Sequence, residues 1–134
     1  MRLSCLASVS QTDHTVAVGE GETNGKGEAL ILLVNVEDGK TQQLNFFQKG
    51  VQSSQFVKGG KYLIALGIHS EGSLAIFDVH SLRVFKKFYW TDENPWTKVI
   101  VNQNVDLRLD FAIIGTKGQA KLCSMEIFDD DDMS

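Results

Sequence analysis

The chain has 134 residues, with 13 Lys plus Arg against 17 Asp plus Glu and a net charge of −4. Four of the acids are the run Asp129–Asp132; without them 13 acids face 13 bases, so the rest of the chain is formally neutral. That balance argues against a basic nucleic-acid groove or a polybasic membrane anchor, while 43% apolar and 22% charged residues suffice for a packed core. No stretch approaches the roughly 20 apolar residues of a membrane helix; the longest, Ala29 to Val34, has the length of a strand. The start, Met1-Arg2-Leu3-Ser4-Cys5, has no long apolar region before a small-residue cleavage site and predicts no secretory signal. Cys5 and Cys123 lie at opposite ends without CxxC spacing, which argues against a zinc motif and fits a soluble protein of a reducing, cytoplasmic compartment.

Short apolar runs bounded by Gly, Asn, Asp, Ser or Lys predict strands, and no segment keeps a helical period over a dozen residues. In chain order the expected strands are Leu3 to Val9, Thr15 to Gly19, Ala29 to Val36 and Thr41 to Phe46. Gln52 to Val57, Tyr62 to Ile68, Ser73 to Val79 and Leu82 to Tyr89 follow. The last three are Thr97 to Asn102, Leu109 to Gly115 and Gln119 to Phe128. Strands such as Leu63 to Gly67 and Phe111 to Gly115 are apolar throughout and are expected to be covered on both faces, whereas Thr41 to Phe46 is mixed and suits an outer position.

These elements repeat. Thr15-Val-Ala-Val-Gly19, Leu63-Ile-Ala-Leu-Gly67 and Phe111-Ala-Ile-Ile-Gly115 align, with their glycines 48 and then 48 residues apart. A polar turn and a second apolar run follow each glycine, so the chain divides into units near 1–48, 49–96 and 97–128, with 129–134 as an acidic disordered tail. A four-stranded unit at this period predicts a β-propeller blade.

Gly67-Ile-His-Ser-Glu-Gly72-Ser-Leu-Ala-Ile-Phe-Asp78 resembles the end of a WD-repeat blade, with Phe77-Asp78 where that family has Trp-Asp. Val34-Asn35 holds this place in the first unit, and Ile127-Phe128 lies near it in the third. The resemblance covers about residues 3 to 128. It departs from the family in having no Gly-His pair before the first strands and Glu71 in place of the turn Asp, so the family's hydrogen-bonded tetrad is not assembled. The long insertion Glu20 to Glu28 is similar to blades of large cilia- and flagella-associated or microtubule-associated WD-repeat scaffolds. The resemblance implies an all-β chain of about 2.75 four-stranded antiparallel blades, incomplete as a closed ring. It further implies a non-catalytic scaffold that binds other proteins, among them the rest of a propeller or a large assembly, in the cytoplasm and at a cilium or the cytoskeleton.

Other chemistry finds little footing. The loop Gly19-Glu-Gly-Glu-Thr-Asn-Gly-Lys26-Gly27 has Glu20 where a phosphate loop needs its first Gly and Gly27 where it needs Ser or Thr. A dinucleotide fingerprint would need Gly at Asn24 and a following helix. His14, His69 and His80 all fall in turns with no spacing for a triad or a metal, and no cofactor is expected. The aspartate run lacks the spacing and glycine of a calcium loop and reads as a solvated block. Phe85-Lys86-Lys87-Phe88-Tyr89-Trp90 interleaves bases and aromatics, as single-strand nucleic-acid binders do, but alternation on an outer strand is the simpler account. Its aromatics suit protein recognition. The residues expected at protein contacts are Glu20, Glu22 and Lys26 of the first loop, His69 and Glu71 of the second-unit turn, and Tyr89, Trp90 and Trp96. The rival expectation is an independent sandwich or barrel with one closed core that binds a ligand or nucleic acid.

Overall fold

Runs of Val, Ile, Leu and Phe cut every few residues by turn formers pair into hairpins, because β-branched and aromatic side chains pack well on a pleated surface. The computed structural model describes residues 3–8, 14–21, 28–57, 60–68, 72–89, 96–102 and 108–126. Among them are eleven strands: β1 (Leu3–Ser8), β2 (Thr15–Glu20), β3 (Ala29–Asn35), β4 (Thr41–Phe47), β5 (Val51–Val57), β6 (Tyr62–Gly67), β7 (Ser73–Asp78), β8 (Arg83–Tyr89), β9 (Trp96–Asn102), β10 (Arg108–Gly115) and β11 (Ala120–Glu126). They form three antiparallel sheets, ordered β1-β2-β3-β4, β5-β6-β7-β8 and β9-β10-β11. Each sheet is a meander of consecutive strands, as the repeat predicts. The acidic run and the expected end of the last strand lie outside the described residues.

The sheets stack in a row, and two cores fill the gaps between them. Ala17, Ile31, Leu33 and Leu44 of the first sheet meet Phe56, Leu63, Ala65, Ala75 and Phe77 of the second. On the second sheet's opposite face, Tyr62, Ile64, Leu66, Leu74 and Ile76 meet Val99, Val101, Leu109, Phe111 and Ile113 of the third. Successive side chains on a strand point to opposite faces, so Leu63 and Ala65 serve one core while Ile64 and Leu66 serve the other. This arrangement, with a middle sheet covered on both sides, is not the two-layer sandwich or barrel of the rival expectation. The expectation for Phe111 to Gly115 needs correcting. Phe111, Ile113 and Gly115 are buried, but Ala112 and Ile114 are partly exposed, because no described residue packs over that face of the third sheet.

One irregularity recurs in every sheet. The pairing of the first two strands slips by one residue between Leu3 and Cys5, between Val51 and Ser53, and between Trp96 and Lys98. Each slip is a β-bulge, and a bulge reverses which face the following residues take. Val51 therefore faces the first sheet with Phe56 although their spacing is odd, while Val57 faces the third. Gly67 and Gly115 pair with the residue ahead of the bulge, Val51 and Trp96; in the first sheet Gly19 sits one step to the other side, opposite Cys5. The 48-residue glycines thus mark a recurrent bend of the innermost strand pair. A side chain at Gly115 would come within 2.6 Å of the Gln119 side chain, which accounts for the small residue there.

Candidate protein-contact surfaces

The outer strands carry the exposed aromatic and basic groups. On β8 every residue but Phe85 is exposed, because β8 is the last strand of the middle sheet and has no strand beyond it. A bulge opposite Ile76 and Phe77 turns Phe85 inward, where its ring lies 5.2 Å from that of Tyr62. The remaining residues alternate. Tyr89 pairs with Ser73 and Lys87 with Ala75, on the side of the first sheet; Phe88 pairs with Leu74 and Lys86 with Ile76, on the side of the third. Both faces of β8 are mixed, as the sequence predicts.

Tyr89 is 65% exposed, and its ring meets Phe46 of β4 edge-on at 6.1 Å. Between β4 and β8 runs a depression of about 390 Å³ lined by Asn45, Phe46, Val84, Lys86 and Lys87. Phe46 and Val84 give this rim apolar surface, and the exposed lysines Lys86 and Lys87 border it. Phe46 and Val84 did not stand out in the sequence. The signal that could have found them is the alternation of β8 combined with the placing of β4 beside it, which only the sheet packing supplies.

The other expected contact residues divide. Glu20 is half-buried, and its carboxylate accepts the Leu30 amide at 3.3 Å, so it closes the β2–β3 hairpin rather than projecting from it. Trp96 is only 7% exposed and packs in the second core. The bulge at Thr97 is the reason. It turns Trp96 to the same face as Val99 and Val101, which strict alternation from the sequence would not allow. The Trp96 indole Nε1 is buried with no hydrogen-bond partner among the described residues. Glu22, Lys26, His69, Glu71 and Trp90 lie outside the described residues.

The turn after the Phe77-Asp78 pair is built by its aspartate. Asp78 Oδ1 accepts the amides of His80 and Ser81 at 3.0 and 3.1 Å. Asn35 Oδ1 does the same for Glu37 and Asp38 at 2.9 and 3.4 Å. The two positions that the resemblance aligned therefore perform one job: each carboxylate or amide oxygen satisfies the first free N–H groups of a tight turn.

Among the described residues no three His, Cys, Asp or Glu side chains gather as a metal site. His14 is exposed and lies 3.4 Å from Glu37, also exposed. Cys123 is a free thiol whose pKa is raised by burial, against a smaller opposing effect of the Lys121 charge, so it is held as the unreactive thiol.

No protein-family profile matches the sequence, and no curated protein does. Solved structures match the fold. The β-propeller domain of Myceliophteria thermophila Cps50 (Swd1) superposes over 94% of this chain and 38% of its own, with a TM-score of 0.69 and 12% identity. The WD40 repeats of RRP9 superpose over 94% of this chain and 36% of their own, with a TM-score of 0.67 and 13% identity. The chain thus has the fold of consecutive WD40 propeller blades and spans well under half the length of these propellers.

Proposed function

We propose that the chain is a non-catalytic scaffold segment that binds partner proteins through the outer rim of its sheets. The observation that carries this reading is the rim between β4 and β8, where Tyr89 stands exposed against Phe46 beside Lys86, Lys87 and Val84. Tyr is a favoured anchor at protein interfaces, and a partly apolar patch bordered by charged residues suits a contact surface. The two lysines favour a partner segment carrying acids beside its apolar residues. Glu22, Lys26, His69, Glu71 and Trp90 extend the proposed contact set on sequence grounds. We also place the assembly in the cytoplasm, at a cilium or another microtubule-based structure, on the sequence resemblance alone; imaging the tagged chain against an axonemal marker tests that placement.

The contact itself is tested by capturing partners with the full chain and with the Tyr89→Ala, Lys87→Glu double variant, compared quantitatively. Loss of a captured protein by tenfold or more is the expected result. A capture profile unchanged by that variant, by Trp90→Ala and by removal of residues 22–27 would remove these surfaces from the function.

A further inference from the structure

Each sheet has one face turned toward the following sheet and one toward the preceding sheet, and the residues at these faces correspond by register. In the middle sheet Ile64, Leu66 and Leu74 face the third sheet and are buried completely or nearly so. In the third sheet Ala112 and Ile114 hold the register places of Ile64 and Leu66, and Leu122, paired with Ala112, holds that of Ile76, which also faces the third sheet. They keep the apolar character, yet Leu122 is 84% exposed where Ile76 is fully buried. Ile100 of β9, paired with Ala112, adds a further exposed apolar group to this row. The face holds a depression of about 520 Å³.

The first sheet mirrors this on its opposite side. Val16, Val18, Leu32 and Val34 occupy the register places of Leu63, Ala65, Ala75 and Phe77. Those four middle-sheet residues are buried, whereas the first-sheet four are all partly exposed. The two uncovered faces are thus of opposite kind, one built to receive a following sheet and one a preceding sheet. Such a pair of faces already packs twice within the chain.

We propose that the occupant of the third sheet's uncovered face is the first sheet of a second copy of this chain, docked head to tail. Leu122, Ile114 and Ile100 of one copy meet Val18, Leu32 and Val34 of the next. Charge permits the burial. On the receiving face Asp110 accepts a hydrogen bond from Ser124 Oγ and lies 3.4 Å from the Arg108 guanidinium, which sits opposite Glu126 in register. The exposed Lys98, opposite Ile114, has a stem long enough to keep its ammonium in solvent. Among the described residues of the opposing face, Leu32 and Val34 pair with the neutral Gln43 and Thr41, and the carboxylate next along β2, Glu20, already accepts the Leu30 amide. A head-to-tail contact of this kind closes into a ring when its rotation allows, and two copies supply six sheets, within the range of about four to eight blades that propellers use. The inference rests on the blade reading above and names a partner for a face that the rim contacts do not use.

The test is the mass of the purified full chain by sedimentation velocity, alone and with Leu122→Glu or Leu32→Glu. Leu122 is exposed, so its replacement leaves the fold intact; circular dichroism checks Leu32→Glu. The expected result is at least twice the chain mass for the parent and a single-chain mass for either variant. An equimolar mixture of the two variants, which retains one intact face of each kind, returns to twice the chain mass. A parent chain that sediments as a monomer overturns the proposal, as does an assembly that Leu122→Glu leaves unchanged. Assembly lost in Leu122→Glu but kept in Leu32→Glu also overturns it, because that pattern marks like faces in contact. A folded monomer that still captures a partner through Tyr89 would overturn this inference and leave the scaffold reading standing.

Discussion

Gly39 and Leu82 close equivalent hairpins, four residues after Asn35 and Asp78, and both have positive φ, 75° and 62°. A glycine adopts that conformation without steric cost, whereas any side chain meets the following carbonyl. Nothing lies within 4 Å of the place where a side chain on Gly39 would begin, so Gly39→Ala isolates the backbone effect. It should lower stability by about 1 to 2 kcal/mol in denaturant titration, with the slope of the transition unchanged. Leu82 tolerates the same strain because its side chain packs beside the first core. Asp78→Ala should cost about 1 kcal/mol by removing the acceptor for two turn amides, and Asp78→Asn should restore most of it, since Asn35 does the equivalent work in the first sheet. Thermal melts of the three chains check the order.

At the scale of the strand, the short apolar runs located all eleven elements to within about two residues at the described ends, because each run ends in a turn former. What they could not show was the bulge in each inner pair. The repeated glycine shows where the pair bends but not which residue is inserted, and one inserted residue turns the predicted face of everything on one side of it. Trp96 is the casualty: placed in the connection ahead of a strand expected to begin at Thr97 it belonged outside, and the slip at Thr97 puts it in the core. Tyr89 was legible because β8 lacks an outer neighbour, while its partner Phe46 is distant in sequence and was not. The glycine marker can be tested. Gly115→Ala should displace the Gln119 side chain and break its bond from the Lys117 amide, 2.9 Å long, for a loss of about 1 kcal/mol. Adding Gln119→Ala should cost little more, a coupling that a double-mutant cycle measures directly.

Across the whole molecule, stability depends on the middle sheet, which contributes to both cores. Phe77 is buried in the first, with its ring 6.5 Å from that of Phe47 in β4. Phe77→Ala should therefore cost about 3 to 5 kcal/mol and loosen the first sheet from the second. Amide exchange should show β6 and β7 as the slowest to exchange in the parent chain, with β8 and β11 faster, since the former are covered on both faces and the latter on neither or one. A variant that accelerates β2 and β3 while sparing β9 and β10 would locate the weakened joint between the first two sheets.

The inner strands hold one more consequence. β9 pairs with β10 on one side only, which leaves a row of its amides pointing away from its own sheet. Two of them are occupied by side chains of the neighbouring sheet: Ser53 Oγ accepts the Val99 N–H at 3.4 Å, and Gln55 Oε1 accepts the Val101 N–H at 3.1 Å. Side-chain oxygens thus stand where another strand's carbonyls would otherwise pair, so two sheets touch along their inner edges without fusing into one. The same contacts deny that edge to stray strands, and an unprotected edge is where fibril growth begins. Replacing Ser53 and Gln55 together by Ala should therefore change solubility more than stability: a melting temperature lowered by a few degrees, roughly what 1 kcal/mol costs a domain of this size, and a shortened lag before thioflavin-positive aggregate forms on prolonged incubation.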